Sequence, residues 1–455
     1  MKNILIIANA FPPYKYIGRL RNLQYSKYLP KYNWRPIVLT PKPSYLWDPD
    51  EITIKEIPCH IKVYRAFMPN SPTILLRNLK KMLLPKIKNS KELKHTNLSR
   101  KKSDDIYSLN FSIRSIKFVQ SFLEKFIYIP GQLILWLPFA LTKALKIIKK
   151  RNIDIIYTSA PAYSMHIIGY YLKLLTNTPW VADYRDLWTG DLSRTWLPKW
   201  RKNLDRTMEA AVLKKTDKII VVSKQMIPIM KNNFPFLTES SFSVISNGFD
   251  SQLLNKNPNT YIKEQNFNIV YTGQLKNFTH SKFFTAVKNL IEDNSEIAEK
   301  LKITFVGRIV ETENEKIFNN LDRGNFKDTL KFTGWVKHSK ALEIQKNSDV
   351  LLLLISKNVP NRETILTGKI FEYISTRRPI LALAPDGAAK DVIMQTNTGV
   401  VVDPEDTESI KNAITDLYKK WKSNQLFLQP NWDEIKKYDR INLTKKLSNI
   451  LNKLI

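Results

Sequence analysis

The 455-residue chain has a net charge of +31 and a pI near 9.8, and its 43% apolar content is enough for two or three domains. The charge calls for an anionic partner: a nucleic acid, an anionic membrane surface or a phosphorylated substrate. The single cysteine, Cys59, excludes an internal disulfide and suits reducing cytosol, and the lack of a CxxC pair or His cluster argues against structural zinc.

In chain order, Met1 to Ala8 is too short an apolar run for a signal peptide, and Asn9 and Phe11-Pro12-Pro13 interrupt it. It reads as a first buried strand. A loop containing Gly18 leads into an amphipathic helix through Leu23, Tyr28 and Leu29, and Trp34 to Thr40 is a second strand. The loop therefore follows the C-terminal end of a strand, where open α/β sheets bind ligands. From about 69 to 127 the rhythm breaks. Ile74-Leu75-Leu76 and Met82-Leu83-Leu84 are interleaved with Arg77, Lys80, Lys81, Lys86 and Lys88. Such a basic insert suits either the headgroup layer of an anionic membrane or a solvated face on a core helix. Phe126 to Leu141 is the most hydrophobic window; it falls short of the ~20 apolar residues that span a bilayer and is expected to form a buried or interfacial helix.

Ile153 to Thr158 and Trp180 to Asp183 are further strands, with His166 in the helix between them. The second ends in Asp183-Tyr184-Arg185-Asp186-Leu187-Trp188. Two carboxylates and a guanidinium at a strand end form either a site, with one Asp kept ionised and the other orienting a hydroxyl, or a structural ion pair. Lys218 to Val222 and Phe242 to Ile245 complete a first domain, taken as 1–250, and polar 251–265 reads as a linker.

A second α/β rhythm fills 266–428, with strands at Ile269 to Thr272, Lys302 to Val306, Leu330 to Thr333, Val350 to Ile355, Ile380 to Ala384 and Val400 to Val402. Between the last three lies the most informative stretch. Thr367 can cap a helix, Gly368 lets a ligand approach the backbone, and Lys369 adds a full charge to a helix N-terminus already suited to anions. Glu372, one turn on, can accept hydrogen bonds from sugar hydroxyls but would repel phosphate. A phosphate at the helix start with a polyol beside Glu372 satisfies both groups; an ordinary strand–loop–helix–strand unit is the alternative.

The wording of that stretch, Thr367-Gly-Lys-Ile-Phe-Glu-Tyr373 and then Arg378-Pro-Ile-Leu-Ala382, resembles the donor-binding segment of the retaining family 4 glycosyltransferases of the GT-B fold. Other phrases are similar: Phe11-Pro12-Pro13 with Gly18 and Arg19, the Asp183 to Trp188 strand end with His166, Ser246-Asn-Gly-Phe-Asp250 at the domain junction, and Gly273-Gln274-Leu275 where the family often has Gly-Arg-Leu. The resemblance covers both domains and is weakest in the insert. It implies an α/β fold of two doubly wound Rossmann-like domains facing a cleft, with a basic, partly helical insert in the first, and a C-terminal helix, 429–455, returning to that domain.

The resemblance also implies roles. Glu372 would hold the ribose of a nucleotide-sugar as the final Glu of a Glu-x7-Glu pair; the first position is Thr364 here, with Glu363 one residue early. Thr367, Gly368, Gly273 and Gln274 would line the donor, with Trp335 and Val336 level with its base. Lys369 would meet the charge on the leaving phosphate, and Lys282 or Lys276 would replace the Arg lost at Gln274. Gly18, Arg19, His166, Asp183 and Arg185 would face the acceptor, with Asp186 nearest the chemistry. The implied reaction is metal-independent hexosyl transfer with retention, using a UDP- or GDP-sugar as co-substrate and no cofactor. The only Asp-x-Asp, Asp48-Pro49-Asp50, lies in a first-domain loop, and no metal site is expected.

Two other classes are compatible: a nucleotide-sugar epimerase of the same fold, and a non-enzymatic protein binding an anionic surface, which would explain the charge but not the donor motif. The expected partners are a lipid-linked or saccharide acceptor, such as a surface-polysaccharide precursor, and an anionic membrane surface, with no nucleic acid. The expected location is the cytoplasm, peripheral on the inner face of the cell membrane.

Overall fold

The structure, a computed structural model, describes residues 1–14, 18–43, 51–69, 118–191, 194–254, 263–275, 281–308, 328–426 and 429–455. Most of the basic insert with its lysines, the Asp48 to Asp50 loop and Lys276 lie outside these residues. The chain divides into two units. One comprises Met1–Val221, Asn233–Ser243 and Leu447–Ile455; the other comprises Val222–Asn232 and Val244–Lys446. The division falls at Val221 and Ser243, ahead of the expected boundary at 250.

The first unit is built on a seven-stranded sheet: β1 (Lys2–Ala8), β2 (Trp34–Pro41), β3 (Lys62–Ala66), β4 (Ile155–Ala160), β5 (Trp180–Tyr184), β6 (Lys218–Val221) and β7 (Phe242–Val244). The spatial order is β3-β2-β1-β4-β5-β6-β7. From β3 through β6 the pairings are parallel. Ile4 to Ala8 and Ile155 to Ala160 are buried without interruption, the signature of a parallel sheet covered on both faces. The sequence reading missed β3. This edge strand pairs on one side only, Lys62 and Arg65 interrupt its apolar residues, and Ala66 alone is fully buried.

The hydrophobic window at 126–141 is not one helix. A π-type turn at Leu123–Ile127, a 3-10 turn at Gln132–Trp136 and an α-helix at Leu137–Arg151 divide it. Pro130 and Gly131, the latter fully extended, break the chain between the first two, and Pro138 sits where a helix start tolerates it. The last helix buries Ala140, Ala144 and Ile147, one side only.

The second unit carries a six-stranded parallel sheet: β8 (Phe267–Thr272), β9 (Leu301–Val306), β10 (Leu330–Gly334), β11 (Val350–Leu354), β12 (Ile380–Leu383) and β13 (Gly399–Val402). Each expected strand is present within a residue or two. The order is β10-β9-β8-β11-β12-β13. Alternation along β11 divides the core into two layers. Val350, Leu352 and Leu354 join the helices Ser281–Asp293 and Thr407–Lys422 on one face. Leu351, Leu353 and Ile355 join the helices Gly368–Ser375 and Ala388–Thr396 on the other. Each such buried leucine contributes about 1.5–3 kcal/mol, so the β11 run alone anchors both layers.

Candidate functional site

The strand order of the second sheet reverses between β8 and β11, and in open α/β sheets the crevice beyond the carboxyl ends at such a point is where ligands bind. Gly273 follows β8 directly, and Gly368–Ser375 is the first α-helix after β11. The fold brings Gly273, Thr367, Gly368, Lys369 and Glu372 to this place.

Two glycines shape its floor. Gly273 and Gly307 have φ of +120° and +144°, which side chains with a Cβ rarely adopt. A Cβ on Gly307 would lie 2.1 Å from the Gly273 carbonyl oxygen, and one on Gly273 would lie 2.6 Å from Lys369 Cε. The Gly273 N–H donates to the Val306 carbonyl at 2.7 Å, tying the two strand ends together. Lys369 therefore lies directly across Gly273. Its Nζ donates to the Tyr271 hydroxyl at 2.6 Å and sits 4.0 Å from that ring's centroid. The Tyr271 hydroxyl donates onward to the Gln274 carbonyl at 3.1 Å, and burial pushes its pKa up, so it stays protonated. Gln274 takes part in this hydrogen-bonded chain through its carbonyl and is itself exposed. Lys282 stands exposed in the first turn of Ser281–Asp293, and no hydrogen bond joins it to Lys369 among the described residues.

Thr367 precedes the helix with extended backbone but does not cap it; its Oγ1 is buried with no partner among the described residues. The first turn also leaves backbone N–H groups for an incoming anion. Glu372 is prepared from its other side. His338 Nε2 is 3.0 Å from its Oε1, and Gln345 Nε2 donates to its Oε2 at 3.4 Å and to Thr272 Oγ1 at 2.9 Å. Thr272 in turn meets the buried Tyr373 hydroxyl, whose pKa burial pushes up to about 12. The Glu372 side chain remains 22% exposed, so its carboxylate is oriented but reachable. His338 begins the helix His338–Asn347, just after Trp335 and Val336; Trp335 is 66% exposed and Val336 packs on the core. The residues expected beside the base thus share a segment with a residue that touches Glu372.

Glu363 is placed elsewhere. It lines a hollow of about 340 Å³ with Lys357, Arg362, Asp386, Lys390 and Asp403, and no contact joins it to Glu372 among the described residues. A Cβ on Gly387 would lie 2.5 Å from the Glu363 backbone, so this turn is clasped against the start of the helix Ala388–Thr396. Thr364, at the position of the family's first Glu, bonds its own turn through Asn361 O at 2.8 Å.

In the first unit the strand-end cluster is mostly structural. Asp183 is fully buried, and its carboxylate accepts from Arg21 Nε at 2.8 Å, Arg21 Nη2 at 2.7 Å, the Tyr157 hydroxyl at 2.6 Å and Ser159 Oγ at 3.0 Å. Burial alone would raise its pKa, but the Arg21 guanidinium overrides this and holds it below the carboxylate range. His166 is also fully buried. Its Nδ1 meets Thr158 Oγ1 at 2.8 Å, and burial lowers its pKa to about 3, so it is a neutral core residue. The expectation that Asp183 and His166 face an acceptor is corrected: neither has surface to offer.

Arg185 clasps three backbone carbonyls, those of Pro161 at 2.7 Å, Ala160 at 3.1 Å and Gly18 at 3.3 Å. Arg19 pairs with Glu56 at 2.9 Å. Asp186 is the member of the cluster whose side chain stays exposed; desolvation by the surrounding protein raises its pKa against Arg185, with Asp191 adding to the rise. Sequence reasoning missed Gln345, Thr272, Tyr271 and Gly307. His338 carried a signal, as one of five histidines and close to Trp335.

Comparison with known proteins agrees with this layout. Residues 266–420 match the family described as glycosyl transferases group 1, and 118–253 match glycosyltransferase family 4. Among curated proteins nothing matches the chain. In structure the chain is similar to sucrose-phosphate synthase from Thermosynechococcus elongatus, at 15% identity and a TM-score of 0.61, covering 100% of this chain and 99% of that one. It is similar to Anabaena HepE in complex with UDP, at 15% identity and TM-score 0.59 over the whole of both chains. It is also similar to a mutant of S. aureus TarM in complex with Fondaparinux, alpha-GlcNAc-glycerol and UDP, at 11% identity and TM-score 0.61, over 99% of this chain and 100% of that one. With both units matched by family models and the two Rossmann-like sheets in place, the chain belongs to the family 4 glycosyltransferases of the GT-B fold.

Proposed function

We propose that this glycosyltransferase moves a hexose from a UDP- or GDP-sugar to a hydroxyl of a lipid-linked or saccharide acceptor, a precursor of a surface polysaccharide, with retention of anomeric configuration. The observation that carries the reading is the pairing, within one short helix, of a cation held over Gly273 with an oriented carboxylate one turn away. The diphosphate sits at Gly368 and Lys369, within reach of the Thr367 hydroxyl, which has no partner among the described residues, and the ribose hydroxyls bond Glu372. As the sugar leaves, charge grows on the phosphate, and Lys369 with the helix N-terminus stabilises it without reorganising. That assigns to the chain's own groups the work a metal does elsewhere. Asp186 is the carboxylate assigned to the acceptor side. UDP in HepE and TarM, and the glycoside in TarM, support a nucleotide donor and a saccharide acceptor here.

An epimerase would need two carboxylates at the sugar, and Asp183 is committed to Arg21. With a lipid-linked acceptor, the enzyme works from the cytoplasm at the inner membrane face. The test is calorimetry with UDP and GDP, followed by radiolabelled nucleotide-sugars with and without lipid-linked acceptor. Binding of one nucleotide and acceptor-dependent transfer are expected. Failure to bind either nucleotide sinks the reading; conversion of the sugar without an acceptor replaces it with the epimerase.

A further inference from the structure

The first unit carries an exposed aromatic surface that its core does not use. Phe118, Phe122 and Phe126 recur every four residues and are 73%, 47% and 49% exposed. Trp196, Trp200 and Leu204 repeat that spacing on another segment and are also exposed. The two stripes are joined: Phe122 and Phe126 lie 5.0 Å apart between ring centroids, and Phe126 stacks on Trp200 at 5.3 Å. Arg201 fixes the arrangement from beneath, bonding the Tyr128 carbonyl at 3.3 Å and pairing with Asp205, which also takes Arg194 at 2.6 Å. Rings held open to water at this density mark an interaction surface.

Charge identifies the partner. Residues 118–128 and 194–206 hold six cations, among them Lys125, Lys199, Lys202 and Arg206, against two acids, Glu124 and Asp205. Lys199, Lys202 and Arg206 are exposed beside the tryptophans. Phenylalanine and tryptophan flanked by lysine and arginine match the layered chemistry of a bilayer surface, with rings at the acyl boundary and cations at anionic headgroups. Among the described residues no single helix is long and apolar enough to cross a membrane; Phe118–Ile127 and Gln132–Arg151 reach that composition only together and are bent by 62°. The apolar residues are therefore arrayed along a surface. We propose that this patch docks the enzyme on an anionic lipid bilayer, with Phe122, Phe126, Trp196 and Trp200 inserted at the headgroup boundary. The proposal deepens the lipid-linked-acceptor reading and rests on it only for its purpose.

The test uses the full chain and vesicles of phosphatidylcholine with or without phosphatidylglycerol. Co-sedimentation with the anionic vesicles is expected, falling with salt because the Debye length is only ~8 Å at physiological ionic strength. Brominated acyl chains should quench tryptophan fluorescence, and Trp196→Phe with Trp200→Phe should abolish most of that quenching while preserving the fold. Phe122→Ser with Phe126→Ser should lower partition roughly 100-fold, about tenfold per ring, with nucleotide binding unchanged as evidence that the protein is folded. Three results overturn the proposal: no binding to anionic vesicles, binding that these variants leave intact, and a dimer in light scattering that the variants dissolve without any lipid binding, which would make a second copy the occupant. Vesicle binding without nucleotide binding would keep this surface and remove the transferase reading; the reverse would do the opposite.

Discussion

Asp183 and Glu372 are carboxylates of similar promise in the sequence, one in each unit, and the structure gives them opposite work. Asp183 has no exposed surface and accepts four hydrogen bonds from three side chains. Glu372 keeps 22% of its side chain exposed and, among the described residues, bonds Gln345 and His338, the latter itself 61% exposed. A carboxylate whose lone pairs are all used by its own protein holds the fold together. One that is steered but not saturated is ready for a ligand. The distinction lies in the number of partners and their exposure rather than in the motif around the residue.

The sharpest way to break this contrast is Asp183→Ala. Removing one member of a buried pair leaves Arg21 uncompensated and should cost about 3–5 kcal/mol of stability in the first unit, read by chemical denaturation. A variant with unchanged stability but no transfer activity would return Asp183 to the acceptor side. Next in size is Glu209, buried in the same unit and accepting from the Thr189 N–H at 2.8 Å and from the Thr189 hydroxyl. Burial pushes its pKa from 4.5 to about 7, so its contribution to stability is full below about 4.5 and is lost as pH rises through about 7. Glu209→Gln should remove that loss, roughly 3 kcal/mol at ~1.4 kcal/mol per pH unit, seen as a flatter melting temperature between pH 5 and 8. His166 acts with the opposite sign: its pKa is depressed to about 3, so its stabilisation holds above about 6.5 and falls away in acid. A Glu209→Gln melting profile as steep as the parent's would mean that another group dominates this window.

On the ligand side the effects are smaller and leave the fold alone. Glu372→Ala should weaken nucleotide binding by about 1.5–3 kcal/mol in calorimetry, with a change in stability of under about 0.5 kcal/mol. A large loss of stability with unchanged affinity would class Glu372 with Asp183. Smallest in binding is Lys369→Ala. If its charge acts mainly as the phosphate departs, kcat should drop more than about tenfold while nucleotide affinity moves less.

What was legible follows from distance along the chain. The strands of the second unit were readable because each is a short continuous apolar run between polar loops. Lys369 and Glu372 were readable because they share one helix with Gly368. Gln345 was not: it lies on a helix ahead of β11 as an ordinary polar residue, and only folding brings it to Thr272, 73 positions away. The saturation of Asp183 was hidden for the same reason, since Arg21 is 162 positions off. The three-piece break in the 126–141 window was written in Pro130 and Gly131, and apolar content alone obscured it.

Gly307 and Gly273 follow two different strands, Lys369 stands in the first turn of a helix, and the three share one clearance. A methyl group on Gly307 would meet the Gly273 backbone, which cannot give way cheaply, and one on Gly273 would meet the end of the Lys369 side chain and push the cation aside. An added side chain at Gly307 would be transmitted as a displacement of the Gly273 carbonyl and from there to the ammonium. The cation's position is thus inherited from two missing side chains. Neither glycine can drift alone, and the range of sequences that preserve this charge in place is narrower than the chemistry of one lysine would require.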